Sequence, residues 1–185
     1  MKEINVVLKG ISPLLMNSPK SMLNPDEGSK NRLKKYDHKI EAEKVAYRTD
    51  KGELYMPSEA VKGCLINASS WKKVGKNSLK PIMAAAVRIA PRQIVITDEK
   101  KKIQKEYEID LRTVVIQRAR VVKARPKINK WLAAFTVIYN ETMITPDVIE
   151  QCLKEAGERV GLLDFRPQNT GEFGMFEVES FKPVK

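Results

Sequence analysis

The sequence predicts an α+β fold whose principal elements run strand, helix, strand, strand, helix, strand. Three observations carry that prediction. Ile4, Val6 and Leu8 alternate with Asn5 and Lys9 and stop at Gly10, the pattern of a half-buried first strand. Two segments, 58–71 and 146–160, repeat apolar residues at helical spacing. Runs rich in Val, Ile, Thr and aromatic residues, 113–122, 131–139 and 173–181, follow in the order the remaining strands need. The order is the split βαβ, or ferredoxin-like, plan that RRM-like domains also use. It builds a four-stranded antiparallel sheet with its helices on one face and leaves the other face free.

In chain order, Ile11 to Gly28 holds Pro13, Pro19 and Pro25 among Asn, Ser and Met residues, too many breakers for a regular element. Ser29 then caps a polar helix through Lys39 to Val45, and residues 11–53 together form an insertion after the first strand that is expected to be mobile. Leu54-Tyr55-Met56 makes a short strand, and Pro57-Ser58-Glu59 opens a helix with Ser58 as N-cap and an acid in its first turn. Val61, Leu65, Ala68 and Trp71 form its apolar face; Lys62, Ser69 and Lys73 recur on another.

Ser78 to Val87 reads as a short helix. Residues 93–97 and 105–109 read as a hairpin across a charged turn, so that 88–111 is a hairpin insertion after the first helix. In the strand that follows, a period of two puts Arg118 and Arg120 on one face, with Arg112 and Gln117 setting the width of the polar surface. Thr145 caps the second helix with Pro146 at its first position, and Gly161 stops it. The whole chain, 1–185, is a single domain.

Lys and Arg outnumber Asp and Glu by 34 to 23, a formal net charge of +11 that favours a polyanionic partner. Distribution sharpens this. No acid occurs between Glu59 and Asp98 or between Leu111 and Asn140, stretches that carry Lys62, Lys72, Lys73, Lys76 and Lys80 and then Arg112, Arg118, Arg120, Lys123 and Arg125. A merely solvated surface mixes signs; these runs point to a face kept positive for a partner. Cys64 and Cys152 lie far apart within helical patterns, with one His, His38, in the chain, so no metal site, disulfide framework or cofactor is expected and both cysteines read as small buried hydrophobes. No apolar run reaches membrane-spanning length, and a cytoplasmic location with no membrane partner is expected.

Two passages resemble a known family. Tyr55-Met56-Pro57-Ser58-Glu59-Ala60-Val61-Lys62-Gly63 looks like the helix opening of the RAMP superfamily, especially the crRNA-binding backbone subunits of CRISPR effector complexes. Gly161-Leu162-Leu163-Asp164-Phe165-Arg166, continuing through Thr170-Gly171-Glu172-Phe173-Gly174-Met175, resembles that family's glycine-rich loop before a final strand. The chain departs from the family in placing Glu59 within the first motif, and Asp164 and Pro167 in a loop poorer in glycine. The resemblance implies a RAMP-like domain whose two loops cradle an RNA backbone. A helix start offers free N–H groups to phosphate and Lys62 adds a charge one turn in; Gly171 and Gly174 would admit a sugar–phosphate chain beside Arg166.

The expected function is therefore single-stranded RNA binding, with single-stranded DNA an open alternative, by a subunit that self-associates or joins other subunits of a CRISPR-like or mobile-element ribonucleoprotein. Lys62, Arg112, Arg118, Arg120, Lys123, Arg125 and Arg166 are the expected phosphate contacts. Trp71, Tyr107 and Trp131 are candidate stacking residues, although helix and strand core explains Trp71 and Trp131 more economically. Some members of the superfamily cut RNA with an acid in the loop after the first strand, which makes Asp26 a candidate for a metal-assisted ribonuclease; Pro25-Asp26-Glu27-Gly28 is equally a turn sequence. His38 sits among charged residues and reads as solvated. A further alternative is a structural or assembly protein of a phage or mobile element.

Overall fold

The structure, a computed structural model, describes residues 1–22, 36–116 and 118–184. Its strands are β1 (Lys2–Gly10), β2 (Leu14–Leu15), β3 (Tyr55–Pro57), β4 (Lys73–Val74), β5 (Asn77–Ser78), β6 (Val87–Ala90), β7 (Gln93–Thr97), β8 (Glu108–Ile116), β9 (Ala119–Ile128), β10 (Leu132–Tyr139) and β11 (Phe176–Pro183). Its α-helices are α1 (His38–Lys44), α2 (Ser58–Ala68), α3 (Leu79–Ala86) and α4 (Pro146–Glu155), the last continued by a π turn, Ala156–Val160.

The main sheet runs β11-β1-β10-β7-β3, with β6 also on β10, and every pairing in it is antiparallel. Its core is the ferredoxin-like order that the sequence predicts. On β1 the alternation holds: Ile4, Val6 and Leu8 are buried and lie opposite Val137, Phe135 and Ala133. Val61, Leu65 and Ala68 of α2 and Ile149, Cys152 and Leu153 of α4 close this core from one side. Each large aliphatic chain so buried contributes about 1.5–3 kcal/mol. On the opposite face Thr136 donates its hydroxyl to Asn5 Oδ1 at 3.0 Å.

The second core strand is not the segment expected. Residues 87–97, broken at Pro91, pair with β10, and the partners jump from Ala133↔Ile96 to Thr136↔Ala90, so the strand bulges around Pro91 and Arg92. Residues 105–107 form no strand, and Thr97 meets Ile103 in an isolated bridge instead of a 93–97/105–109 hairpin. The excursion after the first helix is thus not 88–111. It leaves the sheet at Thr97 and returns at Leu132, and its body is the β8–β9 hairpin. Pro91 and Arg88 make a core strand look interrupted, while the hairpin's Val and Ile residues mimic a core strand.

That hairpin pairs from Glu108↔Lys127 to Ile116↔Ala119 and joins β2 in a second sheet, β2-β9-β8. Leu14, Leu15 and Met16, expected in an irregular and mobile stretch, are fully buried there, and Met16 N donates to Pro126 O at 2.9 Å. Other contacts fix the hairpin's root. Arg125, 7% exposed, meets Asp164 of the loop before β11 at 2.9 Å, an ion pair without an aligned hydrogen bond. Arg112 pairs with Asp110 at 2.7 Å and lies 5.3 and 4.7 Å from the ring centroids of Phe165 and Phe173. From α1, Glu43 accepts from Arg48 and from the Tyr107 hydroxyl, while Arg48 donates to Gly52 O and Lys105 O, each at 2.8 Å.

Helix ends follow local chemistry with two corrections. Asp37 caps α1, its carboxylate accepting from Lys39 N at 2.8 Å; Ser29, the expected cap, lies outside the described residues. Ser58 is the first residue of α2 and not its cap: its N–H donates to Arg92 O at 2.9 Å and its hydroxyl reaches Glu59, because β3 pairs with β7 up to Pro57. Thr145 stands at the N-cap of α4 in extended conformation, before Pro146, without a side-chain cap bond. Gly161, φ +72°, stops the second helix by donating to Ala156 O at 2.8 Å.

Removing one member of the buried pair strands the other charge. Arg125→Ala is expected to lower stability by about 3 kcal/mol, measured by urea unfolding, whereas the double change Arg125→Met with Asp164→Leu restores most of it. Equal losses in the single and double variants would show that the pair is not what fixes the hairpin's root.

Candidate nucleic-acid interface

The helix opening and the glycine loop, distant in sequence, meet in one cleft. The first turns of α2, Asn17 and the loop after Gly161 enclose about 350 Å³, lined among others by Asn17, Glu59, Gly63, Asn67, Asp164 and Arg166. β3 pairs with β7 and so delivers α2's amino end here, and the π turn ending at Gly161 turns the chain back to meet it.

Arg166 donates Nη1 to Leu163 O at 2.8 Å and Nη2 to Gln168 Oε1 at 3.2 Å; the same Gln168 oxygen accepts from Asn67 Nδ2 at 3.2 Å. Its partners are all neutral, so among the described residues the guanidinium keeps its charge unmatched by an acid. Asp164 is matched by Arg125, leaving Glu59 as the cleft's other carboxylate. Cys64 sits at the cleft floor with Sγ 3.2 Å from Gly161 O. Burial pushes its thiol up to about 12, against a smaller opposing pull from Arg166. Burial also raises Cys152, so both cysteines are inert apolar filling, as the sequence suggests.

The other expected contacts divide into two groups. Lys62 lies half-buried on α2, Lys123 half-buried on β9, and Arg118 and Arg120 are exposed at the hairpin tip, Arg118 with φ +68° in its turn. None of these four makes an ion pair among the described residues. Arg112 and Arg125 are committed to Asp110, Asp164 and two phenyl rings. The register also divides the hairpin's charge between its faces: Arg120 lies opposite Val115, while Lys123 and Arg125, opposite Arg112 and Asp110, belong to the reverse face.

The glycines divide similarly. A Cβ on Gly171 would lie 1.8 Å from Phe165 O, and one on Gly174, φ +69°, 2.0 Å from Leu162 O, so packing within the loop itself demands both. Gly63 is the glycine that sequence reasoning passed over as a site residue: it lines the cleft, and a Cβ there would meet nothing within 4 Å. Only its place in the helix-opening motif could have marked it.

Trp131 is core, 1% exposed, its indole N–H donating to Ser12 O at 2.9 Å. Tyr107 is held by Glu43 and by Arg48, whose guanidinium is 5.4 Å from the ring centroid. Trp71, for which helix core was the simpler explanation, is 58% exposed, because α2 ends at Ala68 and a 3₁₀ turn carries the indole outward. His38 is exposed at the start of α1, edge-on to Tyr36. Asp26 and Glu27 lie outside the described residues. Among the described residues no group of three or more His, Cys, Asp or Glu could hold a metal, and no helix is long and apolar enough to cross a membrane.

Two outcomes follow from this geometry. Gly63→Ala should raise stability by about 0.5–1 kcal/mol by restricting the unfolded chain, whereas Gly171→Ala should lower it by more than about 1 kcal/mol, both read from denaturant midpoints. In alkali, the unfolded chain ionises its thiols from the ordinary value of 9.0 and its phenols from 10.0, while Cys64 and Tyr107, both pushed up to about 12, keep their protons in the folded state. Burial is the first cause for each, joined for Tyr107 by its hydrogen bond to Glu43. Their stabilising share is complete below about pH 9 and is lost as pH rises towards 12; thermal melts across that window and native-state alkylation measure it.

No protein-family model and no curated protein matches this sequence. The fold does have a match among solved structures: a chain of a Type III-B Cmr-beta complex bound to cognate target RNA, similar with a TM-score of 0.63 over 100% of this chain at 15% identity. The match covers 61% of that chain, so this protein spans less than two thirds of its length. The likeness is one of fold: an α+β domain with antiparallel sheets.

Proposed function

We propose that this chain is a non-catalytic module that binds single-stranded RNA through its backbone, as a CRISPR-like or mobile-element subunit that associates with its own copies or with other subunits. One observation carries the reading: Arg166, hydrogen-bonded to neutral acceptors and to no acid, lines the cleft where the first turns of α2 meet the loop after Gly161, while Lys62 on α2 and Arg118, Arg120 and Lys123 on the hairpin make no ion pair among the described residues. Free N–H groups and the positive dipole end of α2 favour an anion there, and Gly63 leaves room for it. The solved chain of like fold comes from a complex bound to RNA, which supports the same reading.

Backbone binding has a measurable signature. Labelled RNA oligonucleotides should bind tightly at low salt with little sequence preference, and log affinity should fall linearly with log salt. Arg166→Ala and Lys62→Ala should each flatten that slope by about 0.7, and Arg118→Glu with Arg120→Glu should weaken binding further by reversing charge. The RNA should be recovered intact with divalent metal present. Absence of binding at low salt, or binding indifferent to salt, overturns the proposal; a deoxyribonucleotide strand in the same assay decides between RNA and DNA.

A further inference from the structure

The far end of α2 carries a second concentration of features that the cleft does not use. Ten residue steps separate Ser58 from Ala68, about 15 Å of helix axis. Beyond it the 3₁₀ turn Ser69–Trp71 presents the exposed Trp71 indole, and the Arg159 guanidinium carbon lies 6.0 Å from its ring centroid. The β4–β5 ribbon follows, pairing Lys73↔Ser78 and Val74↔Asn77 around Gly75, which has φ +61°. Lys73 and Lys76 on this ribbon and Lys80 at the start of α3 are exposed and make no ion pair among the described residues. The neighbouring acids are Glu155, taken by Lys72 at 2.8 Å, and Glu158 beside Arg159.

We infer that Trp71 with Arg159, Lys73, Lys76 and Lys80 is a second contact for single-stranded nucleic acid, in which a base stacks on the indole and the lysines hold the phosphates on either side. The inference rests on the proposed RNA-binding function and extends it from the cleft to the opposite end of α2. A planar ring flanked by unpaired cations matches a base face and its backbone, and stacking of this kind tolerates any base. A membrane surface would require a wider apolar patch, yet among the described side chains between residues 41 and 102 Trp71 is the one large hydrophobic that is exposed. An acidic peptide would satisfy the lysines and leave the ring unused.

The chain itself supplies the probe. It has two tryptophans, and since Trp131 is buried, a ligand that quenches emission by stacking reports on Trp71. An oligouridylate of about 16 nucleotides should quench the emission of the 185-residue chain and release the quench with salt. Trp71→Ala should abolish the quench and weaken binding about tenfold, Trp71→Phe should recover most of the affinity, and Lys73→Glu with Lys76→Glu should weaken it again. Arg118→Glu with Arg120→Glu should shift the midpoint of the quench without removing it. Three results would overturn the inference: the strand binds by anisotropy while emission and the Trp71→Ala affinity stay unchanged, which leaves the cleft reading standing; vesicles containing anionic phospholipid change the emission and RNA does not; or no strand binds at all, in which case the cleft reading falls too.

Discussion

Everything at the cleft depends on how the β8–β9 hairpin is fixed to the loop before β11, and the buried contact between Arg125 and Asp164 is what fixes it. Taking the facing atoms, Arg125 Nε and Asp164 Oδ2, out of water is costly, and the cost is offset only while they remain together. Hairpin root and loop therefore form one mechanical unit. Arg112, between Asp110 and the rings of Phe165 and Phe173, repeats the arrangement nearer the tip, and β2 adds a third strand at the root. Because Asp164 also lines the cleft, the pair shapes its electrostatics: with that carboxylate matched by Arg125, Arg166 meets uncharged acceptors and Glu59 is the other carboxylate of the lining.

The charge of +11 becomes informative only after these internal commitments are removed from it. Two acid-free runs suggest one continuous positive face. The fold instead distributes them over several places. The run after Glu59 extends from Lys62 on α2, about 9 Å of helix axis before its end at Ala68, to Lys73 and Lys76 beyond its carboxyl end. The run after Leu111 is folded back on itself as a hairpin, and strand alternation puts Arg120 on one face and Lys123, Arg125 and Arg112 on the other. Linear density of charge thus overstates the extent of any single surface and understates how many surfaces there are.

What the sequence made legible was what periodicity governs. β1, α2, β10, α4 and β11 each bury one face at the period of their element, and their order alone dictates the ferredoxin-like plan. The second core strand was hidden, because Pro91 and Arg88 break its pattern while β8 and β9, rich in Val and Ile, look more like sheet core. Their exposed Leu111, Val115, Val121 and Val122 show why composition misleads: β propensity does not state which sheet a strand joins. At the site, the convergence of the helix opening and the glycine loop was legible from the motifs. The burial of Arg125 and the exposure of Trp71 were not, since each follows from a tertiary partner or an element end that local pattern does not encode.

The two glycines of the C-terminal loop show what a resemblance in sequence can and cannot carry. Gly171 and Gly174 belong to the stretch whose sequence resembles a glycine-rich loop of the crRNA-binding backbone subunits, yet the carbonyls of Phe165 and Leu162 account for both. A loop that must turn this tightly needs them whether or not RNA is present, so they speak for the fold, as does the likeness to the Cmr-beta chain at 15% identity. Lys62, Arg118, Arg120, Lys123 and Arg166 are different. Among the described residues no acid pairs with a cation at those positions, and the self-repulsion of a strongly basic chain acts against keeping them. Packing explains the glycines, whereas no acid among the described residues answers these cations, Arg166 included although it bonds the neutral Leu163 O and Gln168; the cations, and not the motif that drew attention to the loop, carry the case for a polyanionic partner.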